Sequence, residues 1–123
     1  MIQQIYQILG FVNHKDFDCV TGDASSAYIG PEGLENDPWY GYLAKGIGSL
    51  EKFERSIIYI RPDVFVVIDD LKADEGTKSS FEWWLNAEHD IEYTDKSAIL
   101  KEGKANLKTD IVCPSGTKAN YYG

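Results

Sequence analysis

Glu88, His89 and Asp90 stand next to one another. A histidine between two carboxylates is a group whose pKa can rise toward an acid's role, or one corner of a metal site. No second histidine lies near it in sequence, so a solvated turn is the competing reading. Trp83 and Trp84 sit just upstream, and Trp39, Tyr40 and Tyr42 form a second aromatic group. Flat rings in an exposed loop can stack on sugar rings. They can equally fold down as a lid, since burying a large apolar side chain stabilises by about 2 kcal/mol. Asp23 is either a ligand or a carboxylate that satisfies a strand end. The cysteines, Cys19 and Cys113, lie far apart. They form a pair between chain ends in an oxidising compartment, or two separate thiols. No CxxC or HxxH spacing points to zinc.

These residues must be held by something, and the strongest element is Phe53 to Leu71, FERSIIYIRPDVFVVIDDL. Arg61-Pro62-Asp63 has turn chemistry. The flanking runs, Ile57 to Ile60 and Val64 to Ile68, are β-branched and aromatic, types that fit a pleated surface. The stretch predicts a long central antiparallel hairpin. Alternate strand residues point to opposite faces. Val64, Val66 and Ile68 share one face, and Phe65, Val67 and Leu71 the other. Both are apolar, whereas an ordinary antiparallel sheet wets one face. The hairpin is therefore expected to be covered on both sides, by its own chain or by another domain, with Asp69 and Asp70 marking where cover ends.

The rest reads as short strands between turns. Ile2 to Leu9 predicts a strand broken at Gly10, Val12 to Asp16 a turn, and Phe17 to Thr21 another strand. Pro31 to Leu50 is a long connection of the kind often found functional or partner-facing. Ser79 to Asn86, SSFEWWLN, predicts a third strong strand, with Phe81, Trp83 and Leu85 opposite Glu82, Trp84 and Asn86. Short strands follow at Ile91 to Tyr93 and Ala98 to Leu100, then a turn at Glu102-Gly103 and a strand at Ala105 to Val112. No segment has a helical period and no linker interrupts the chain. The expected fold is a single all-β antiparallel sandwich over residues 1–123.

The net charge is −8. That disfavours nucleic acid and anionic membranes, which call for a basic surface. No apolar run reaches the roughly 18 residues of a membrane-spanning helix, and the first residues lack a signal-peptide pattern. No cofactor is evident.

The order of motifs resembles a known family. Gly22-Asp23-Ala24-Ser25 with Ala27-Tyr28, Arg55 opening a strand, Ile58-Tyr59-Ile60-Arg61-Pro62-Asp63, Val66-Val67-Ile68-Asp69-Asp70-Leu71, Trp84-Leu85-Asn86, Ala105-Asn106-Leu107 and Cys113-Pro114-Ser115-Gly116 occur in this sequence. Together they resemble the C-terminal β-sandwich region of heparinase II/III-like polysaccharide lyases. The likeness covers most of the chain except Pro31 to Leu50. It implies one part of a bacterial, periplasmic or secreted enzyme that degrades glycosaminoglycan or alginate by β-elimination. A helical toroid of the same parent chain is the implied partner and carries much of the catalytic machinery, so no catalytic residue is assigned here. Acidic polysaccharide would be met through the parent, and a divalent metal in the parent is allowed. The implied sugar-cleft candidates are Tyr28, Arg55, Trp83, Trp84, Asn86 and His89. Asn86 stands where relatives often carry a histidine, and His89 lies three residues later. Arg55 has a second reading, an ion pair with a nearby aspartate. Two other functions fit the residues. One is a stand-alone carbohydrate-binding module using Trp39, Tyr40 and Tyr42. The other is an interaction domain that self-associates through an uncovered apolar face.

Overall fold

A computed structural model describes residues 7–28, 50–73, 75, 80–88, 91–112, 114 and 116–120. The chain is all-β, as its β-branched runs predict, with two antiparallel sheets consistent with a sandwich-like class. The first sheet is a four-stranded meander: β1 (Gln7–Asn13), β2 (Phe17–Asp23), β3 (Leu50–Ile60) and β4 (Val64–Ala73) in spatial order. A short 3-10 helix, Ser25–Tyr28, follows β2. The second sheet is a three-stranded meander of β5 (Ile91–Tyr93), β6 (Ser97–Glu102) and β7 (Ala105–Asp110). The chain divides into two compact units, Met1–Ser80 and Phe81–Gly123.

The central hairpin is β3 and β4, turning at Arg61 to Asp63 through a cis Arg61–Pro62 bond. Its ladder runs from Ile60↔Val64 to Leu50↔Ala73, with one extra residue, Glu51, at the far end. Gly10 does not end β1. Ile8 pairs with Gly22 and Gly10 with Thr21, so Leu9 is the extra residue of a bulge and pairing continues to Asn13. Glycine in a strand often marks such a bulge. Val12 and Asn13 accordingly belong to the strand rather than to the turn. Residues 2–6 of the expected first strand lie outside the described residues.

The strand expected at Ser79 to Asn86 is corrected. Residues 81–87 form no sheet ladder. Their alternating aromatic composition suits a strand, but a strand also needs a neighbour to take its N–H and C=O groups, and none is beside it among the described residues. The last strand ends at Asp110, two residues earlier than expected.

The registers assign each side chain to a face. In the first sheet one face holds Val12, Cys19, Ile58 and Val66; the other holds Phe11, Val20, Ile57 and Val67. Both are apolar, as the hairpin alone implied. No described residue is buried, and Val64, Phe65, Val66, Val67 and Ile68 are all exposed. The second sheet differs. Ile91, Tyr93, Ala98, Leu100 and Leu107 share one face, while Glu92, Ile99, Lys101 and Lys108 share the other. On the polar side Lys101 Nζ lies 2.7 Å from Glu92 Oε1. This sheet has a single apolar face.

The β6–β7 connection is the two-residue loop Gly103-Lys104, flanked by the pair Glu102↔Ala105. Gly103 has φ +58° and no other described residue of this loop is left-handed, which suits a type II′ hairpin turn with glycine first. An L side chain in that region costs about 1–2 kcal/mol. Gly103→Ala is expected to destabilise the second unit by about that amount. Urea titration followed by hydrogen exchange checks this: β6 and β7 amides lose protection, and β2 and β3 amides keep theirs.

Candidate functional site

Arg55 is built into the first sheet at the pair Arg55↔Asp69. Its Nε donates to Asp69 Oδ1 at 2.6 Å and its Nη2 to Asp69 Oδ2 at 2.8 Å. The guanidinium also lies 5.6 Å from the Phe53 ring centroid. A bidentate fork on a cross-strand carboxylate is the strong form of the ion pair. Of its two readings, the structure places Arg55 in the ion pair.

Asp23 likewise serves its own strand end. Its Oδ1 accepts the Ser25 backbone N–H at 2.8 Å and the Ser25 hydroxyl at 2.5 Å. The same hydroxyl accepts the Phe53 N–H at 2.9 Å. These bonds hold the Asp23 carboxyl below the usual carboxylate range. They also launch the 3-10 turn that ends in Tyr28. At the opposite end of β2, Arg61 Nη2 donates to Asp18 Oδ2 at 2.6 Å and Asn13 donates to Asp18 Oδ1 at 2.5 Å. The Arg61 bond is the main reason the Asp18 pKa is lowered. Asp69 and Asp70, expected to mark the end of cover, are both paired, Asp70 with Lys52 Nζ at 2.5 Å.

In the second unit Trp83, Trp84 and Asn86 come together. With Tyr93, Thr94 and Asp95 they line a groove of about 420 Å³ beside the apolar face of the three-stranded sheet. The indoles are 46% and 59% exposed, enough for a ring to meet a ligand. The polar wall, however, is largely engaged in holding the fold. Thr94 Oγ1 accepts the Ser97 N–H at 3.1 Å and lies 2.9 Å from Ser97 Oγ. Asp95 Oδ1 accepts the Ala119 N–H at 3.3 Å, and the Lys96 carbonyl accepts the Ile111 N–H at 2.7 Å. These bonds close the β5–β6 turn and tie down the chain after β7.

Arg55 and the tryptophan groove belong to different units. His89 and the side chain of Tyr28 lie outside the described residues, as do Trp39, Tyr40, Tyr42 and Cys113. Cys19 is a half-buried free thiol on β2. Among the described residues no group of three His, Cys, Asp or Glu side chains could hold a metal ion. Sequence reading passed over Asp18–Arg61 and the Thr21–Ser56 hydroxyl pair, 2.8 Å apart. Their signal is the register itself, which the sequence does not display. No protein-family model, curated protein or solved structure matches this chain.

Two outcomes follow. A double-mutant cycle on Arg55→Gln and Asp69→Asn is expected to give a coupling of about 0.5–1 kcal/mol, the value of a partly exposed pair, in urea titrations at neutral pH. For Asp18 the lowered folded-state pKa stabilises the fold above the ordinary carboxylate pKa, and this is lost as pH falls through the folded value. Asp18→Asn should therefore lower the urea midpoint at pH 7 and flatten its fall between pH 5 and pH 2, measured by far-ultraviolet circular dichroism.

Proposed function

We propose that this chain is a non-catalytic β-sheet part of a heparinase II/III-like polysaccharide lyase, supporting a helical toroid and lining one wall of a cleft for uronic-acid polysaccharide. The observation that carries this reading is the first sheet, apolar on both faces and exposed on both among the described residues. The first sheet has two apolar faces and the second has one. However the sheets are arranged, the second can cover at most one face of the first. At least one large apolar face is left for other cover, and such patches mark interaction sites. A helical neighbour within a longer enzyme meets that need, and the motif order from Gly22 to Gly116 resembles that family.

The chemistry of the described residues agrees with a supporting role. β-Elimination needs a base for the proton α to the carboxylate, an acid for the leaving oxygen and a group to neutralise the enolate-like intermediate. Arg55, Asp69, Asp18 and Asp23 are all engaged in holding strands. Trp83, Trp84 and Asn86 offer ring faces and an amide, which bind and orient a sugar but do not move its protons. The exposed faces also favour a second reading, an interaction domain without sugar affinity.

The test offers the purified chain a panel of uronic-acid polysaccharides, with and without divalent metal. Ultraviolet absorbance reports unsaturated product, and calorimetry on the same samples reports binding. No product from this chain is expected, and weak binding that falls in Trp84→Ala. Product from the chain alone would overturn the supporting role. Absence of binding as well would leave the interaction domain as the better account. A polypeptide that carries the helical region too is expected to make product, and its failure to do so would remove the lyase assignment.

A further inference from the structure

The groove of the second unit carries an electrostatic exception. Among the described residues, every lysine and arginine except Lys96, Lys104 and Lys118 has a carboxylate within 3.8 Å. Pairing is the expected state, since Asp and Glu outnumber Lys and Arg by 20 to 12. Lys104 sits exposed in the β6–β7 turn. Lys96 and Lys118 both line the groove of Trp83 and Trp84. They reach it from separate stretches of chain. Asp95 Oδ1 accepts the Ala119 N–H at 3.3 Å, which ties the β5–β6 turn to the chain after β7. Each lysine is the sequence neighbour of one partner in that bond, so one contact sets the backbone of both. Glu82 and Asp95 line the groove as well. They balance the two lysines, so this wall is neutral in a chain that carries −8 overall.

We infer that Lys96 and Lys118 read the carboxylate of a uronic-acid residue whose ring lies against the tryptophans. Complementarity argues for this ligand. An indole takes the C–H face of a sugar ring whatever the ring's charge, so Trp83 and Trp84 alone accept neutral and acidic sugars alike. An ammonium group with no protein carboxylate beside it is matched by a carboxylate on the ligand. A uronate supplies both parts in one residue, an apolar ring face and an acid on the ring carbon. The groove volume of about 420 Å³ is that of a small-molecule site and suits a short oligosaccharide. The charge of the whole chain does not forbid this. At physiological ionic strength exposed charges are largely screened beyond about 8 Å, whereas an ammonium in contact with its carboxylate lies inside that range. The inference rests on the reading of this chain as one wall of a uronic-acid cleft, and names what separates acidic from neutral sugar there.

Calorimetry of the full chain tests it with two probes at one salt concentration. One is an unsulfated oligouronate; the other is the same oligosaccharide with its carboxylates reduced to hydroxymethyl groups. The wild type is expected to bind the acid form about tenfold more tightly, the effect of two partly exposed ion pairs. The double variant Lys96→Gln, Lys118→Gln should lose that preference and keep the wild-type affinity for the reduced form. Both lysines are exposed, and circular dichroism checks that the variant folds. If it does not, Lys118→Gln alone is read, with the preference cut about threefold. Lys101→Gln with Lys108→Gln removes the same charge from the opposite face of the sheet, and should leave the preference intact. Equal wild-type affinity for the two forms, with Trp84→Ala weakening both, overturns the lysine assignment and leaves the sugar cleft standing. A preference that survives in the Lys96 and Lys118 variants, or that falls as far in the Lys101 and Lys108 control, also overturns it. Binding of neither form overturns the cleft and this inference together.

Discussion

The first sheet is organised by a hydrophobic pattern that does not choose a face. In most half-wet sheets, a one-residue slip of a strand moves its apolar set into water, and that penalty fixes the register. Here a slip of β4 past β3 would exchange Val64, Val66 and Ile68 for Phe65 and Val67, one apolar set for another. Burial alone therefore specifies this register weakly. The polar pairs specify it instead. Between β3 and β4, Arg55 reaches Asp69 and Lys52 reaches Asp70; between β2 and the hairpin, Thr21 meets Ser56 and Arg61 meets Asp18 in the same way. Each is lost on a one-residue slip, because its partner moves to the opposite face. Exposed ion pairs contribute little stability singly, but here several of them agree on one alignment.

That role explains why residues that looked able to do chemistry are occupied. Arg55 has the charge and position of an anion ligand, yet its fork is closed on Asp69. Asp23 has the carboxylate of a ligand or acid, yet it caps the turn after β2 and passes through the Ser25 hydroxyl to the Phe53 amide. The second sheet needs no such device on its core side, since one face is apolar and the other carries Glu92, Lys101 and Lys108. Its register follows from alternation and from the glycine turn at Gly103.

The hairpin was legible because β-branched runs on either side of Arg61-Pro62-Asp63 leave no other economical structure. The short strands at β5 to β7 were legible for the same reason, with turns at Asp95-Lys96 and, one residue later than Glu102-Gly103 reads, at Gly103-Lys104. The bulge at Leu9 was not, because glycine reads equally as a stop and as a bulge until the partner strand is known. The segment 81–87 failed in the opposite sense. Its composition is that of a strand, but ladder formation depends on a neighbour that local sequence does not specify. The same limit applies to the candidate site. Adjacent tryptophans announce a ring surface, and their convergence with Asn86 follows from adjacency. That Thr94, Asp95 and Lys96 are committed to the turn and to the chain after β7 depends on contacts between distant residues, as does the pairing of Arg55.

The distribution of apolar surface ties the fold to a role. A small domain that stands alone tends to hide its apolar faces within itself, since its stability depends chiefly on such burial. A first sheet with two apolar faces and a second with one cannot reach that state by covering each other. The deficit must be met from outside the pair of sheets. Cover on the face of Phe65 and Val67, now 65% and 46% exposed, removes them from water. It also shields the Arg55–Asp69 and Arg61–Asp18 pairs from solvent, which strengthens them as the local dielectric falls. Cover on this face therefore tightens polar contacts that set the register, and burial and strand alignment reinforce each other.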